Sequence, residues 1–357
     1  MKKELINITK KLVEFQTISS NKSELQKCLE YIQNYFISTK LFSKIFYSGG
    51  FPSLFISNSS SKKMDLILNG HIDVVDGAKI QFKPFIKNNR LYGRGTIDMK
   101  SSIAIMMIIL KNVAQNSTKK IGAMFVCDEE IFGENGTKYL LDKGYRSKFS
   151  IITEESNFDI VTKQKGQITI KFEARGKSCH GSQPWTGKNA IENLISSYKQ
   201  LRRSFPKDQK SSWEKPTINL GIIKGGTAAN VIPDEAELFL DIRYPSISKL
   251  ETVLKKMDKI IENHSVSYSI LSKTFPMYSG DVDKYVKKLI TITKKIKNKK
   301  SKLKWTNYCS DARYFSEKNM PVIEFGPTGG DYHSDNEYVE IDSLIKYYGI
   351  LKEFILT

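Results

Sequence analysis

A buried strand in the first third of the chain ends in two residues that suit a metal site. The apolar run 66–68 continues through Gly70 to His71 and Asp73. Residues two apart on an extended backbone point the same way, so Asp73 can lie behind His71 and accept a hydrogen bond from one ring nitrogen. The other ring nitrogen is then left for a metal ion. Taken alone, the same residues are also typical of an ordinary surface turn, and the residues downstream decide between the two interpretations.

Other acidic and imidazole side chains follow predicted strands farther along the chain. Mixed imidazole and carboxylate ligands suit zinc, and also cobalt or manganese. In open α/β sheets, ligands bind beyond the carboxyl ends of the strands, where these residues are predicted to lie. Two metal ions about 3.5–4 Å apart need a bridging carboxylate, and a further carboxylate must remain to act as the base. The residues that meet this need are His71, Asp73, Asp98, Glu129, Glu130, Glu154 and His333.

The predicted elements place these residues in an α/β domain that a smaller domain interrupts. Strands and helices alternate in the first part, which favours a mostly parallel sheet with helices on both faces. The order then becomes β-α-β-β-α-β, typical of a ferredoxin-like sandwich, before the α/β pattern resumes. We therefore predict a catalytic domain in two parts, 1–164 and 272–357, with an inserted domain over 165–271.

The predicted helices and strands have approximate bounds. In the catalytic domain the helices are 2–15, 22–39, 99–115, 134–143, 281–296 and 341–356, and the strands are 43–48, 52–58, 64–70, 120–127, 149–153, 303–306 and 321–325. In the inserted domain the helices are 188–203 and 246–263, and the strands are 167–174, 216–223, 235–243 and 265–271. Asn21, followed by Glu24, is the predicted cap of the second helix.

Length and composition limit the class of protein. The chain has 357 residues, 40% apolar residues and a formal charge of +18, with ten lysines between Lys284 and Lys304. Arginine is scarce in this run and no aromatic series interleaves it, so we interpret it as a solvated surface and expect no nucleic-acid partner. No apolar run approaches the ~18 residues of a membrane span, and the N-terminus predicts an amphipathic helix, so we expect a cytoplasmic protein with no membrane partner. The cysteines form no Cys-x-x-Cys pair, which argues against a redox or zinc-knuckle site.

Five motifs resemble, in order along nearly the whole chain, those of the M20 family of metallopeptidases and deacylases. They are 70–75, 91–100, 128–130, 154–156 and 333–338. The family includes succinyl-diaminopimelate desuccinylases, acetylornithine deacetylases and carboxypeptidase G2-like enzymes. The resemblance implies an α/β fold: a zinc-exopeptidase-like catalytic domain, with a mixed sheet flanked by helices, and an inserted ferredoxin-like α+β domain that serves as lid and dimerisation domain.

The resemblance also implies a role for each of the chemical residues. It makes Glu129 the general base, a choice between Glu129 and Glu130 that spacing alone leaves open. It makes Asp73 the carboxylate that orients His71, and it implies a cis peptide bond directly after the bridging aspartate. Two divalent metal ions are implied, zinc first, with cobalt and manganese as alternatives. Their ligands would be His71 and Glu154 at one site, Glu130 and His333 at the other, and Asp98 as the bridge.

Further motifs, in the inserted domain and near the C-terminus, resemble those that recognise the substrate in this family. By resemblance, His180 stabilises the oxyanion of the tetrahedral intermediate, reaching over from the partner subunit of a homodimer. Asn230 and Arg243 would bind the substrate carboxylate, although an arginine after a strand aspartate often forms only a structural salt bridge. Ser310 and Arg313 are the other predicted substrate-binding residues.

Two residues near these motifs depart from the family pattern. Glu155 stands where a proline is usual, and Tyr308 stands where a small residue is usual. Neither change removes a ligand, but the second puts the local loop shape in doubt. His264 lies outside every motif, and we expect a structural or surface role for it.

We expect a dinuclear metal amidohydrolase that cleaves an N-acyl amide of a small amino-acid-type substrate. Residues 94–100 most resemble the desuccinylase branch, which makes N-succinyl-diaminopimelate the first substrate; an acetylornithine deacetylase and an M20 carboxypeptidase or dipeptidase are alternatives. A metal-free, non-catalytic binding homologue is a separate hypothesis, which the loss of a ligand or of the base would indicate, and here all are present. The expected partners are an N-acyl amino acid or dipeptide and a second copy of the chain, bound through the inserted domain.

Overall fold

The chain folds into two compact units. A computed structural model describes residues 1–206, 212–261 and 265–357. The first unit comprises Met1–Thr162, Tyr278–Lys304 and Ser310–Thr357, and the second comprises Lys163–Met277 and Trp305–Cys309. The second unit therefore extends past both ends of the predicted insertion and takes in a short later segment. His264 and the last residues of the helix predicted over 246–263 lie outside the described residues.

The part of the chain before the insertion alternates helices and strands, as the sequence pattern predicts. The amphipathic first helix buries its apolar residues, and the Asn21 side chain accepts a hydrogen bond from the Glu24 N–H (3.3 Å), as predicted for a cap. The elements in chain order are α1 (Lys2–Glu14), α2 (Lys22–Asn34), β1 (Phe42–Ser48), β2 (Phe51–Ser57), β3 (Lys63–His71), β4 (Phe85–Lys87), β5 (Arg90–Tyr92), α3 (Ser101–Asn112), β6 (Ile121–Val126), α4 (Tyr139–Asp142), β7 (Arg146–Ile152) and β8 (Ile160–Gln164).

Two of the predicted helices begin later than the sequence indicates. Irregular π-type turns occupy Thr96–Lys100 and Glu134–Lys138, and α3 and α4 start only after them. Helix α3 is apolar nearly all round and is buried over its length except at its C-terminal end, so it packs inside the first unit. Both turns follow positive-φ glycines, Gly95 and Gly133, which are the residues that allow the chain to turn sharply there.

The second unit has the predicted β-α-β-β-α-β order. Its antiparallel sheet has the strand order β10-β11-β9-β12, and β9 alternates buried and more exposed residues, as expected of a sheet with one face on a core. Residues from both helices and the inner face of the sheet form a separate hydrophobic core. The elements are β9 (Gly166–Arg175), α5 (Ala190–Arg202), β10 (Thr217–Gly225), β11 (Glu235–Tyr244), α6 (Ile247–Ile261) and β12 (Val266–Thr274).

The C-terminal part of the chain returns to the first unit and adds strands to its sheet. The sequence pattern missed the short helix α8 and the strands β13, β16 and β17, as it missed β4, β5 and β8 earlier in the chain, because these elements are too short to show a clear period. Among the described residues there is no helix with the length and apolarity that a membrane span requires. The elements are β13 (Met277–Tyr278), α7 (Asp283–Lys297), β14 (Leu303–Thr306), α8 (Ala312–Glu317), β15 (Val322–Glu324), β16 (Gly329–Gly330), β17 (Tyr338–Glu340) and α9 (Ile341–Leu356).

The central sheet is mixed, as predicted from the family resemblance, and its parallel part positions the chemical residues. Strand β3 is parallel to β6 and to β7, and β15 is parallel to β7, whereas β2 pairs antiparallel with β1 and β6. The carboxyl ends of β3, β6 and β7 therefore meet at one edge. A small antiparallel sheet of β4, β5, β17 and β16 pairs Tyr92 with Tyr338, which brings the segments before and after it together.

Candidate metal centre

His71 is the last residue of β3, and its ring is buried at the carboxyl edge of the sheet. Its Nδ1 lies 2.9 Å from the Asp73 carbonyl oxygen; because a carbonyl can only accept, Nδ1 carries the proton. Its Nε2 lies 3.0 Å from Asp98 Oδ1 and 3.2 Å from Glu154 Oε1. Burial lowers the pKa of His71, but Glu154, Asp73 and Asp98 raise it more, and the result is a pKa well above the usual value. Nε2 is thus the ring atom that faces the carboxylates and is available to a cation.

Asp98 stands between two groups of potential ligands. Its Oδ2 lies 3.0 Å from Nε2 of His333, and the same nitrogen lies 3.4 Å from Glu130 Oε1. Within each group, His71 with Asp98 and Glu154, and Asp98 with Glu130 and His333, the candidate ligand atoms lie within 4.8 Å of one another. Asp98 belongs to both groups and turns one carboxylate oxygen to each histidine. The peptide bond after it is cis, as predicted.

The chemistry of these two groups fits divalent cations. Each offers one imidazole nitrogen and two carboxylates, a donor set that suits zinc, cobalt or manganese. Among the described residues, the buried Glu130 Oε1 forms a long ion pair with His333 Nε2 (3.4 Å) and no aligned hydrogen bond, which suits an oxygen whose partner is a cation. Burial raises the pKa of Asp98, but hydrogen bonds from His333 and His71 lower it more, so Asp98 remains a carboxylate.

Asp73 faces His71 with both its main chain and its side chain. Its carbonyl oxygen lies 2.9 Å from His71 Nδ1, and its Oδ1 forms an ion pair with the same nitrogen at 3.5 Å. The carboxylate also accepts hydrogen bonds from the backbone N–H groups of Glu129 (3.2 Å) and Glu130 (3.1 Å) and from the Ser19 hydroxyl (3.2 Å). The role of the Asp73 carboxylate in orienting His71 stays a prediction.

Glu129 and Glu130 occupy different surroundings in the fold. Glu130 belongs to the group with His333, whereas Glu129 belongs to neither group. Burial raises the pKa of Glu129 well above its usual value; His71 opposes this rise, and Asp311 and Glu154 add to it. A carboxylate with a raised pKa takes up a proton more readily than one with the ordinary value.

Glu337 supports the bridging aspartate, and the spacing of the sequence did not single it out. Its carboxylate is buried and pairs with Arg94 at 3.0 Å. It also accepts hydrogen bonds from the backbone N–H groups of Gly95 (2.9 Å), Ile97 (3.0 Å) and Asp98 (3.3 Å). Glu337 therefore holds the turn that presents Asp98. The only indication in the sequence is that Glu337 lies in the same motif, 333–338, as His333.

Asp311 is a second buried carboxylate that sequence analysis did not assign. Its Oδ2 accepts a hydrogen bond from Thr137 Oγ1 (2.5 Å), which in turn accepts one from Asn69 Nδ2 (2.8 Å). A Cβ at Gly133, where φ is +62°, would overlap Asp311 Oδ1. Asp311 and Thr137 thus join α8 to the π-type turn that follows the two glutamates.

Ser310 and Arg313, which were predicted to bind substrate, are buried near the start of α8. Arg313 donates from Nη1 to the Ser310 carbonyl (2.9 Å) and from Nη2 to the Phe132 carbonyl (2.8 Å). The Ser310 hydroxyl accepts a hydrogen bond from the Ala312 N–H (3.3 Å). These contacts support residues 128–133, the loop of the two glutamates Glu129 and Glu130. Substrate binding by Ser310 and Arg313 stays a prediction.

The other predicted substrate residues lie in the second unit. His180 Nδ1 is 2.7 Å from the Ser182 hydroxyl, and the Gly181 N–H donates to the Asn230 carbonyl (2.7 Å), so the segments of His180 and Asn230 are neighbours. Arg243 forms a two-point ion pair with Asp241, at 2.7 and 3.0 Å. This is the salt bridge that the sequence offered as an alternative for Arg243. The roles of His180, Asn230 and Arg243 toward a substrate stay predictions.

Comparison with known proteins identifies the family. The sequence profile of Peptidase family M20/M25/M40 matches residues 67–357. A succinyl-diaminopimelate desuccinylase of Rickettsia bellii (strain RML369-C) is 28% identical over 327 residues, which cover 83% of this chain and 82% of that protein. The crystal structure of a tripeptidase from Staphylococcus aureus has the same fold, with a TM-score of 0.83 at 21% identity over 99% of this chain and 98% of that one. An M20 family metallo-carboxypeptidase from Sulfolobus solfataricus aligns with a TM-score of 0.81 at 17% identity over the same shares of the two chains. A profile match over most of the chain, on a fold that carries two imidazole–carboxylate groups, means that the chain belongs to peptidase family M20/M25/M40 and is a hydrolase of amide bonds.

Proposed function

We propose that this hydrolase is a dinuclear metal amidohydrolase that removes an acyl group from a small amino-acid-type substrate, with N-succinyl-diaminopimelate as the first candidate. The observation that carries the proposal is the position of Asp98, whose two oxygens face two separate histidine–carboxylate groups. A single-metal site would not need a carboxylate shared in this way. The M20 family is metal-dependent, which agrees with this proposal.

The proposed ligands divide between the two groups. His71 and Glu154 would hold one cation, Glu130 and His333 would hold the other, and Asp98 would serve both. Two bound divalent cations, zinc first and cobalt or manganese as alternatives, would polarise the scissile carbonyl and lower the pKa of a bound water. Asp73 and Glu337 keep the ligands in place, because they bind the backbone on which Glu130 and Asp98 are carried.

Glu129 is the proposed general base. It takes a proton from the attacking water and later delivers it to the nitrogen of the leaving amine, so that the C–N bond breaks without release of an amide anion. Its raised pKa supports this role, because a carboxylate of ordinary pKa would hold the proton too weakly to transfer it. Its position outside both ligand groups leaves its oxygens available for proton transfer.

We propose that the second unit completes the site in a homodimer. His180 would donate a hydrogen bond to the oxyanion, and Asn230 and Arg243 would bind the substrate carboxylate. The second unit offers two outer strands for pairing with another copy, since β10 and β12 end its sheet. Strand β10 exposes Ile222 and Ile223, each 47% exposed, which is unusual for apolar residues of a strand.

The dimer proposal has a direct test. Light scattering should give twice the chain mass of 40.8 kDa, and the Ile222→Lys variant should shift the population to the monomer. The matched control is Ile80→Lys, which changes an isoleucine of the first unit that is 69% exposed and should leave the mass unchanged. A monomer at micromolar concentration in the unchanged protein would contradict the proposal.

The acyl specificity rests on the relatives. The curated relatives that match at 26–28% identity are named succinyl-diaminopimelate desuccinylases, and they cover most of the chain. A peptidase is the second candidate, because the similar tripeptidase structure covers 99% of the chain. Acetylornithine deacetylation is the third.

A substrate panel distinguishes these candidates. The purified chain would be stripped with chelator, reloaded with zinc, cobalt or manganese, and assayed on N-succinyl-diaminopimelate, N-acetylornithine, dipeptides and tripeptides. We expect the highest kcat/KM on the succinyl substrate, and a preference for tripeptides would instead support the second candidate. If the protein binds no divalent metal, the enzyme proposal fails and the metal-free binding homologue takes its place.

A further inference from the structure

The loop of the two glutamates contains an unusual backbone conformation at Phe132. Its φ is +83°, a left-handed value that a residue with a Cβ rarely adopts. Phe132 ends the short 3₁₀ turn Glu129–Ile131, only two residues after Glu130. Such a conformation persists only where the surrounding contacts hold it in place. The position of Phe132 therefore affects where both glutamates lie.

Two side chains from α8 hold the Phe132 carbonyl. The Tyr314 hydroxyl and Arg313 Nη2 both donate hydrogen bonds to it, the second at 2.8 Å. Tyr314 is 7% exposed, and its ring also lies against Gly133, where a Cβ would be 3.3 Å from Tyr314 Cε2. A carbonyl oxygen that accepts two hydrogen bonds is fully satisfied, which keeps the peptide from rotating back to an ordinary conformation.

The other contacts of this loop come from a different direction. Asp73 accepts hydrogen bonds from the N–H groups of Glu129 and Glu130, and the Gly133 N–H donates to the Asp128 carbonyl (2.6 Å). The start of the loop is thus fixed by Asp73, just after β3, and its end by α8. Loss of the Tyr314 hydroxyl would leave the Phe132 carbonyl with the Arg313 donor alone, which weakens the hold at the end of the loop.

We propose that Tyr314 is a positioning residue, which sets the geometry of Glu129 and Glu130 through the Phe132 carbonyl. The inference rests on the proposed function, because it assumes that one glutamate is the base and the other a metal ligand. Tyr314 acts on Glu129 and Glu130 through the Phe132 carbonyl and not by direct contact, so its effect is indirect. Loss of the hydroxyl should lower kcat through Glu129 and metal affinity through Glu130, with little effect on KM.

The test is the Tyr314→Phe variant, which removes only the hydroxyl. We expect a fall of about 10-fold or more in kcat and in cobalt affinity, the size typical of residues that support metal ligands, with KM within about 3-fold. Cobalt affinity is measured by competition with a chelator, so this readout does not depend on activity. Tyr35→Phe is the matched control, because it also removes one hydrogen bond donated by a tyrosine hydroxyl. That bond runs from Tyr35, just after α2, to Glu4 of α1 (2.9 Å). Tyr35→Phe should leave both quantities unchanged.

The outcomes separate this inference from the proposed function. If the unchanged protein binds cobalt and hydrolyses its substrate but Tyr314→Phe matches it in kcat and affinity, the positioning role is wrong. If Tyr314→Phe only lowers the unfolding temperature, as Tyr35→Phe can, the hydroxyl is merely structural and the inference also fails. If the unchanged protein binds no metal, the proposed function fails first.

Discussion

Glu129 and Glu130 are chemically identical neighbours that the fold makes different. Both backbone N–H groups bind the carboxylate of Asp73, yet only the Glu130 side chain enters a ligand group, with His333. Burial raises the pKa of Glu129 well above its usual value. The proposed division of labour between a base and a ligand therefore depends on which way each side chain points.

Replacing Glu129 by glutamine tests the proposed base. Glutamine keeps the size of the side chain but cannot take up a proton, so we expect kcat to fall by roughly 10²–10⁴-fold. Metal content, measured by atomic emission, should stay that of the unchanged protein, whereas Glu130→Gln should lower it. A Glu129→Gln enzyme with near-normal kcat would mean that another group moves the proton.

Glu337 and Arg94 form a buried pair whose loss should be costly. The Glu337→Gln variant leaves the Arg94 charge buried without its partner, and breaking such a pair costs roughly 3–5 kcal/mol of unfolding free energy. Glu353→Gln is the control, because Glu353 pairs with the largely exposed Lys295, and a surface pair contributes at most about 1 kcal/mol. Urea unfolding of both variants gives the comparison, and equal losses would contradict the buried role.

Short connections between the elements position the site as much as the elements do. The π-type turn Thr96–Lys100 presents Asp98, and Glu134–Lys138 follows the loop of the two glutamates. The predicted helices 99–115 and 134–143 take in the end of the first turn and the whole of the second. The irregular form of these turns depends on distant carboxylates, Glu337 and Asp311, which bind them from later parts of the chain.

Asp159 shows how part of the lysine-rich run is used within the first unit. It accepts a hydrogen bond from the Lys302 N–H (2.9 Å) and pairs with Lys304 at 2.6 Å, which ties the start of β8 to β14. Burial raises the pKa of Asp159, but these contacts lower it more, so the folded value lies below the usual one.

The lowered pKa of Asp159 predicts a pH dependence of stability. The unfolded pKa is about 3.9, so the carboxylate stabilises the fold above that pH, and this contribution is lost as the pH falls through the lower folded pKa. The Asp159→Asn variant should therefore be less stable than the unchanged protein at pH 7, and the gap should narrow below about pH 4. Urea midpoints at both pH values provide the measurement. A stability difference between the two proteins that widens in acid would contradict the prediction.

The molecule as a whole carries a large positive charge, yet its candidate metal centre collects carboxylates. The formal charge is +18, whereas three carboxylates and two histidines form the two ligand groups around Asp98. Cations bound there would relieve the repulsion among the carboxylates, so the folded chain should bind metal more tightly than the unfolded one.

Metal binding should therefore stabilise the whole protein. At a metal concentration about 100-fold above Kd, linkage predicts a gain of about 2.7 kcal/mol per site, seen as a higher unfolding temperature than in chelator. Asp98→Asn should lose most of this gain, because Asp98 belongs to both groups. Unfolding curves that coincide in zinc, cobalt, manganese and chelator would contradict the proposed centre.

Local patterns in the chain were sufficient to predict most of the helices and strands. The apolar run in 64–70, the alternation of 167–174 and the cap at Asn21 depend on near neighbours, and the structure has these elements close to their predicted bounds. The order of the motifs was sufficient for the family and for the cis bond after Asp98. These features can be predicted from the sequence because each element or motif is built from residues a few positions apart.

The hydrogen bonds that hold the site residues in place could not be predicted from local patterns. Glu337 binds the backbone of Asp98 across 239 positions, and Asp311 binds Thr137 across 174. The contact of the Asp73 carboxylate with the N–H groups of Glu129 and Glu130 likewise joins residues 56 and 57 positions apart. Hydrogen bonds between distant segments leave no period in the sequence, because their partners meet only when the sheet brings its strand ends to one edge.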